Sequence, residues 1–504
     1  MANLSGTAAE AVERSKKYLA FDFGASSGRA IIGELVDGKL NMREIHRFSN
    51  DPVMMNGRFV WDLPRLYFEI VSALKIAARE GGVDSIGINT WGVDYGLLDR
   101  NGRIIGNPVH YRDLRTQGIM EKAFEIVQKD RIYEKTGLAF LEFNTLYQLL
   151  AAKLEDDPAM EIAQSLLFMP DLFAYFLTGV KGTEYTIAST SQMVDPHTRN
   201  WSYDLINEMG LNREILGEIT EPGSIRGSLS KQLQDETGLG SVPVIAVGGH
   251  DTASAVAAVP TDSDDFAYIS SGTWSLVGGE SKTPVINEAA KAANFTNEGG
   301  VFGTIRVLKN VMGLWIIQEC KRTWDDEGNS YSFAELVKLA EKAPALAAFF
   351  DPDDTAFLRP GGMPERVADH ISASGQQAPK DIGAITRSVY ESLALKYRWC
   401  IQRYEGFTGK SVKALYIVGG GSNNALLNQF TADALGIPVY AGPDEATAIG
   451  NLMMQSAVLG DVDGLAGIRK VVRDSFAPKV VYPSGDKALW DSAYEKFNRI
   501  FEII

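Results

Sequence analysis

Residues 17–34 read KYLAFDFGASSGRAIIGE. An apolar stretch interrupted by one acid, Asp22, enters a turn of glycine, alanine and serine and leaves it as a second apolar stretch. That pattern predicts strand, small-residue turn, strand. Beyond it, the turn Asn56-Gly57 precedes a helical stretch over 63–80, and a second buried strand is expected at 85–89, SIGIN. Helical periodicity dominates 117–177, and the run VPVIAV at 242–247 ends at Gly248-Gly249-His250-Asp251, ahead of the helix-like TASAVAAV. The pattern then restarts: FAYIS at 266–270 enters SGTW and SLVGG, an echo of the first strand, turn and strand. A helical segment over 385–404, the strand ALYIV at 414–418, the turn GGGSNN at 419–424 and a helix over 425–435 close this second half. Two similar α/β halves are the reading, hinged at the acidic, proline-containing stretch 260–265.

Composition bounds the function. At roughly 150 residues per domain, 504 residues make about three domains' worth of chain, or two large ones. Hydrophobic residues at 45% and charged ones at 22% exclude disordered and fibrous classes. A net charge of −15 without a long basic run argues against nucleic acid or an anionic membrane as partner. Two cysteines, Cys320 and Cys400, form no CxxC pair, which fits a reducing compartment, and the cytoplasm is expected. The polar N-terminus lacks the apolar core of a signal peptide, and no run approaches the ~18 residues of a membrane span. The five histidines show neither HxxxH nor HxH spacing, so a metal is expected on carboxylates or on a bound phosphate.

Five stretches could carry chemistry. In Asp22-Phe23-Gly24-Ala25-Ser26-Ser27-Gly28-Arg29, small residues let backbone N–H groups approach a phosphate, and the hydroxyls and Arg29 add donors; the stretch fits neither the P-loop nor the dinucleotide fingerprint. Ser270-Ser271-Gly272-Thr273-Trp274 occupies the mirrored position, so the pair suggests two loops facing one polyphosphate. Gly419-Gly420-Gly421-Ser422 joins a strand to a helix N-terminus, where close backbone approach and a favourable dipole coincide. In Gly249-His250-Asp251-Thr252 a strand-end carboxylate can take a proton from a substrate hydroxyl, or can simply cap a helix. Thr90-Trp91-Gly92-Val93-Asp94-Tyr95-Gly96 offers the aromatics, glycine and acid that a sugar site uses. Met54-Met55 read as packing residues, and the acidic runs 325–327 and 351–354 as solvated loops.

Taken together, DFGASSGRA, TWGVDYG, GGHDTASAV, SSGTWSL and IVGGGSNN resemble the FGGY carbohydrate kinases of the actin and sugar-kinase superfamily, over nearly the whole chain from Lys17. REIHRF at 43–48, FNTLYQL at 143–149, NEGG at 297–300 and VLKNVMGLW at 307–315 resemble, more narrowly, the branch of that family acting on L-rhamnulose. Asn89 departs from the Asp expected there. The resemblance implies two ribonuclease-H-like α/β domains with mixed five-stranded sheets flanked by helices, and ATP and sugar in the cleft between them. The division it implies is an extension over 1–16, an N-terminal domain over 17–259, a C-terminal domain over 260–485 and a terminal helix over 486–504. It further implies transfer of the γ-phosphoryl of ATP to the first-carbon hydroxyl of L-rhamnulose, with L-fuculose or another ketose as the nearest rival substrate and an actin-like ATP-driven switch as the rival class. Asp251 matches the catalytic base. Gly92, His250, Thr252 and Asn310 match sugar-binding positions, and Ala25, Ser26, Ser27, Gly28, Arg29, Thr273, Gln318, Gly420 and Gly421 match nucleotide-binding ones. Mg²⁺ is the implied ion, oriented by Asp22 through water. A monomer or homodimer is expected, with neither nucleic acid nor membrane as partner.

Overall fold

The computed structural model describes residues 15–501, so most of the expected N-terminal extension lies outside the described residues. In the first half, β1 (Lys17–Phe23) pairs antiparallel with β2 (Ser27–Val36), and β2 antiparallel with β3 (Lys39–Ser49). On its other side β1 runs parallel to β4 (Ser85–Asn89). The short strands β5 (Ile225–Ser228) and β6 (Pro243–Ile245) complete the order β5-β6-β4-β1-β2-β3, with β6 parallel to β4. The run KYLAFDF is a strand covered on both faces: Leu19, Phe21 and Phe23 enter one core and Tyr18 and Ala20 the other, the period-two alternation of a pleated strand. Asp22 therefore shares the face of Tyr18 and Ala20.

The second sheet contains β7 (Phe266–Ser271), β8 (Trp274–Ser281), β9 (Thr296–Gly299), β10 (Ile305–Met312), β11 (Ala414–Val418), β12 (Val439–Ala441) and β13 (Lys479–Val481), in the order β9-β10-β8-β7-β11-β12-β13. Without the edge strands β5, β9 and β13, the two sheets have one topology: three antiparallel strands, then two strands parallel to the first. The echo read in the sequence is thus a repeat of fold, and the five strands expected of each sheet are the cores of a six-stranded and a seven-stranded one.

Two helices occupy equivalent places, α1 (Asp251–Ala257) after β6 and α2 (Ala446–Val458) after β12. They cross each other between the halves, and a Cβ on Gly450 would lie 1.8 Å from the Ser254 carbonyl oxygen. Only glycine permits that approach. α2 is buried almost all round, and its two amides are satisfied by the first sheet. Gln455 donates to Leu19 O (3.0 Å) and accepts from Ser85 Oγ (2.7 Å), while Asn451 donates to Asn89 Oδ1 (2.6 Å).

Two sequence readings need correction. Met54 and Met55 sit on the exposed hairpin 53–60, 67% and 47% accessible, because a two-stranded ribbon has no second layer to cover it. The run 351–354 is not a solvated loop: Asp351 and Asp353 pair with the buried Lys396, and Asp353 also with Lys309, since two buried ammonium groups need counter-charge. Among the described residues no helix is long and apolar enough to cross a membrane.

Candidate active site

The first hairpin is a tight one. Gly24 N donates to Ser27 O (2.9 Å), and Asn50 braces the turn by donating to Ser26 O through its backbone and to Gly24 O through its side chain. Ala25 and Ser26 are exposed at the tip. Gly28 is small for a different reason, since a Cβ there would lie 2.2 Å from the Phe48 ring. Arg29 stands opposite Asp22 in register and donates to its Oδ2 (2.6 Å) and, across the two halves, to Glu445. Asn89 Nδ2 donates to Asp22 Oδ1 (2.8 Å), so both oxygens of Asp22 have partners.

The strand ends carrying TWG and GHD are zipped together: Thr90 N donates to Gly249 O and Asp251 N to Thr90 O, each at 2.9 Å. This sets Gly92 beside His250, and a Cβ on Gly92 would lie 3.3 Å from His250 Nε2. Asp251 Oδ1 accepts from Thr252 N (2.6 Å) and Thr252 Oγ1 (3.1 Å), with His250 Nε2 at 3.4 Å. The Asp251 side chain is one-third exposed at the N-terminus of α1. Burial pushes its carboxyl above the usual carboxylate range; His250 opposes the rise and Asp22, close enough to repel, adds to it. Asp22 at the end of β1 and Asp251 at the start of α1 are thus close enough for their charges to interact.

The second half brings three segments to the same side of its sheet. The tip between β7 and β8 holds Gly272 and Thr273, whose carbonyls accept from Leu314 N (3.2 Å) and Trp315 N (3.1 Å) at the start of the helix Trp315–Asp326, which bears Gln318. The glycine turn packs against this tip, with Gly421 against Ser271. A Cβ on Gly421 would lie 2.0 Å from Ser271 Oγ, whereas one on Gly420 meets nothing within 4 Å. Of the pair, Gly420 is the one open to a ligand. Asn310, half-exposed on β10, shares a strand face with Arg306. Arg306 reaches back to His250, its Nη2 lying 3.0 Å from Nδ1. Two sheets of one topology, each with a small-residue hairpin, and a one-third-exposed carboxylate at the start of α1 supply the groups that a polyphosphate and a hydroxyl-bearing acceptor call for.

The FGGY family of carbohydrate kinases matches in both its parts, the N-terminal domain over residues 17–258 and the C-terminal domain over 267–459. The chain is 44% identical over 483 residues to a rhamnulokinase of Bacteroides thetaiotaomicron, covering 96% of this chain and 99% of that one. It is 43% identical over 471 residues to a rhamnulokinase of Halalkalibacterium halodurans, covering 93% and 99%. The chain belongs to the FGGY carbohydrate kinases. Among solved structures, a gluconate kinase and a xylulose kinase, both from Lactobacillus acidophilus, superpose with TM-scores of 0.82 over 97% of this chain and 98% of each of those, at 16% identity; they share the fold.

In this kinase the TWGVDYG stretch contributes less to the cleft than its composition suggests. Asp94 is fully buried and accepts from Trp61 Nε1 (2.7 Å), Trp91 Nε1 (3.0 Å), Gln148 Nε2 (3.0 Å) and Tyr111 N (3.2 Å). It ties together Trp61, Trp91 and Tyr111 in a buried aromatic cluster, leaving Gly92 as the residue that borders His250. Val93 next to it has φ +65°, an unfavourable conformation for a β-branched residue, held by Val93 N donating to Thr190 Oγ1 (3.0 Å) and Val93 O accepting from Thr145 Oγ1 (2.7 Å).

Sequence reading missed the support of the GHD loop. Glu184 Oε2 accepts from Gly249 N (3.1 Å), Ile187 N (3.1 Å) and Thr186 Oγ1 (2.6 Å), and Glu184 N donates to Asp171, which also faces Arg226. No local motif marks these residues, which are brought together only by the fold. Burial pushes Asp171 up to about 7 and raises Glu184 as well. A carboxyl held above its ordinary value contributes stability that is complete at acid pH and is lost as pH rises through the folded-state value. The melting temperature is therefore expected to fall between pH 5 and pH 8. In Asp171→Asn it should decline less steeply, because the amide has no proton to lose over that range; equal slopes in a thermal-melt series would reject Asp171 as a source of the pH dependence.

Proposed function

We propose that this chain is a rhamnulokinase, transferring the γ-phosphoryl of ATP to the first-carbon hydroxyl of L-rhamnulose to give L-rhamnulose 1-phosphate. The observation that carries the reading is the setting of Asp251, which faces the cleft between the two small-residue hairpins in a chain similar to rhamnulokinases along 96% of its length. Phosphoryl transfer asks a protein for in-line positioning, charge stabilisation and a group to take the hydroxyl proton. Asp251 is that base. Its Oδ1 is oriented by Thr252, which leaves Oδ2 to accept the proton, and a carboxyl raised by burial is a better acceptor than one at its ordinary value. Gly92, His250, Thr252 and Asn310 line the sugar's side of the cleft. Ala25, Ser26 and Ser27 at the first tip, with Thr273 at the second, receive the phosphates, and Gln318 and Gly420 the nucleoside. Gly28 and Gly421 act through packing, and Arg29 through Asp22 and Glu445, so these three shape the nucleotide side.

Among the described residues no group of three or more His, Cys, Asp or Glu could hold a metal unaided, and the oxygens of Asp22 are already engaged. That donor set fits Mg²⁺ carried chiefly by substrate phosphates and water, with Asp22 reaching it through water. When bound, the ion neutralises charge on the phosphates. A cytoplasmic monomer or homodimer completes the reading.

The test is ADP release with Mg-ATP against L-rhamnulose, L-fuculose, L-ribulose, D-xylulose and glycerol. The highest kcat/KM is expected on L-rhamnulose; a higher value on L-fuculose would transfer the assignment to that sugar, and no stimulation by any sugar would reject the kinase reading. The glycine loop gives a second prediction. Gly420→Val should weaken ATP binding by about tenfold, roughly 1.4 kcal/mol, with an unchanged melting temperature, because its side chain enters open space. Unchanged ATP affinity by calorimetry would remove Gly420 from the nucleotide site.

A further inference from the structure

The NEGG stretch at 297–300 has no part in the chemistry described so far, yet with Arg306 on the following strand it places a buried ion pair against the GHD loop. Glu298 on β9 and Arg306 on β10 stand opposite each other in register, with Glu298 Oε2 3.1 Å from Arg306 Nη2. Arg306 is fully buried and Glu298 nearly so. Arg306 Nε donates to Gly299 O (2.8 Å), while Nη2 lies 3.0 Å from His250 Nδ1. The ion pair belongs to the second half of the chain and the histidine to the first. Glu298 Oε2 is 3.3 Å from the same Nδ1.

Burying an ion pair is costly unless it is well partnered, and a hydrophobic pair would fill an edge-strand position more cheaply. The chemistry at Nδ1 gives this pair a use. A guanidinium has donors and no acceptor, so an imidazole nitrogen receiving its N–H must be the unprotonated one, and the ring proton then sits on Nε2. Nε2 is the nitrogen that faces the cleft, 3.4 Å from Asp251 Oδ1 and beside Gly92. The carboxylate of Glu298 is the rival partner, because it would favour a proton on Nδ1. Arg306 is the closer of the two, and it also holds Glu298: burial pushes the Glu298 carboxyl up, and the Arg306 guanidinium beside it draws it down.

We infer that Arg306, held in place by Glu298, is a positioning residue that fixes His250 as the neutral tautomer with its proton on Nε2, so that the imidazole donates into the cleft, to the substrate hydroxyl beside Asp251. Its use in turnover rests on the sugar-kinase reading above, whereas the tautomer itself does not.

The experiment separates the two. With ¹⁵N-histidine incorporated, the long-range ¹⁵N–¹H correlations of only five histidines are read, and His250→Gln assigns the signal. In the wild type at pH 8 the Nε2–H pattern is expected for His250 without any substrate; an Nδ1–H pattern or an imidazolium overturns the inference, whatever the enzyme phosphorylates. In Arg306→Met the ring should turn its proton toward Glu298 and show the Nδ1–H pattern, and kcat/KM for the sugar should fall by about 10- to 100-fold, the scale of one lost charge-assisted contact, with the KM for ATP unchanged. Arg306→Lys, which keeps a donor-only cation, should retain the Nε2–H pattern and recover most of the activity. Should Arg306→Met fail to fold, the wild-type spectrum and the lysine variant still decide. A folded Arg306→Met with unaltered tautomer and sugar kcat/KM would reduce the pair to a structural role.

Discussion

Replacement of Asp251 by asparagine should leave ATP and L-rhamnulose binding within a few-fold of wild type while lowering kcat by about 10³-fold, inside the 10²- to 10⁴-fold range that a positioned general base supplies. The argument is geometric. Asn Oδ1 can still accept from Thr252 N and Oγ1, the two bonds that now fix the side chain, so α1 keeps its first turn and the cleft its shape. What is lost is the ability to accept a proton at the other oxygen, because an amide nitrogen there is a donor. Removing the charge also relieves the repulsion from Asp22, one of the causes that raise the Asp251 carboxyl. The variant should therefore melt no lower than the wild type, and the difference should widen as pH rises and the raised Asp251 carboxyl of the wild type ionises. Calorimetric binding of each substrate, a thermal melt and ADP release together test the prediction. Turnover near the wild-type value would reject Asp251 as the base; loss of sugar affinity comparable to the loss of kcat would make it a binding residue instead.

What could be read in the sequence is what local chemistry encodes. An apolar run broken by one acid and closed by small residues specifies β1, its turn and β2, and the second occurrence at 266–277 specifies the other half, so the repeat and both hairpin tips were legible. So was the GHD turn, because a strand end, two glycines and a carboxylate ahead of an alanine-rich helix form one contiguous signal. Contacts between the halves were not legible. His250 and Arg306 are separated by 56 residues, and Asn89 and Asn451 by 362; no spacing rule pairs such positions. The departure at Asn89 gains its meaning only in three dimensions, where one amide donates to Asp22 and accepts from Asn451. An aspartate there could not donate to Asp22. Glycine was the most ambiguous letter: in the run Gly419-Gly420-Gly421 one member is open and another is packed against Ser271, a difference that composition cannot express.

Gly450→Ala tests whether the crossing of the two equivalent helices sets the geometry of the cleft. In an exposed helix interior this substitution stabilises by about 1 kcal/mol, through helix propensity and reduced unfolded-chain entropy. Here the added carbon would lie 1.8 Å from Ser254 O and 2.5 Å from Ser254 C, both backbone atoms that cannot rotate aside. α1 and α2 must then separate by more than 1 Å, an overpacking that costs about 1–3 kcal/mol or more. The sign of the stability change is thus opposite to the one propensity gives, and the melting temperature should fall by several degrees. Activity should suffer further, because Asp251 is three residues from Ser254 on the helix that moves, while Asn451, next to Gly450, anchors Asn89 and through it Asp22. A displacement of about 1 Å at reacting groups can cost on the order of 10²-fold, so kcat should drop by about 10- to 100-fold in protein still folded at the assay temperature. Gly436→Ala, at a left-handed C-cap with no atom within 4 Å of its Cβ, is the control: backbone strain should lower its melting temperature while kcat stays near wild type. If Gly450→Ala lost stability to the same extent as this control and kept its kcat, the helix crossing would be a packing feature only, and the alignment of the two aspartates would have to come from the sheets alone.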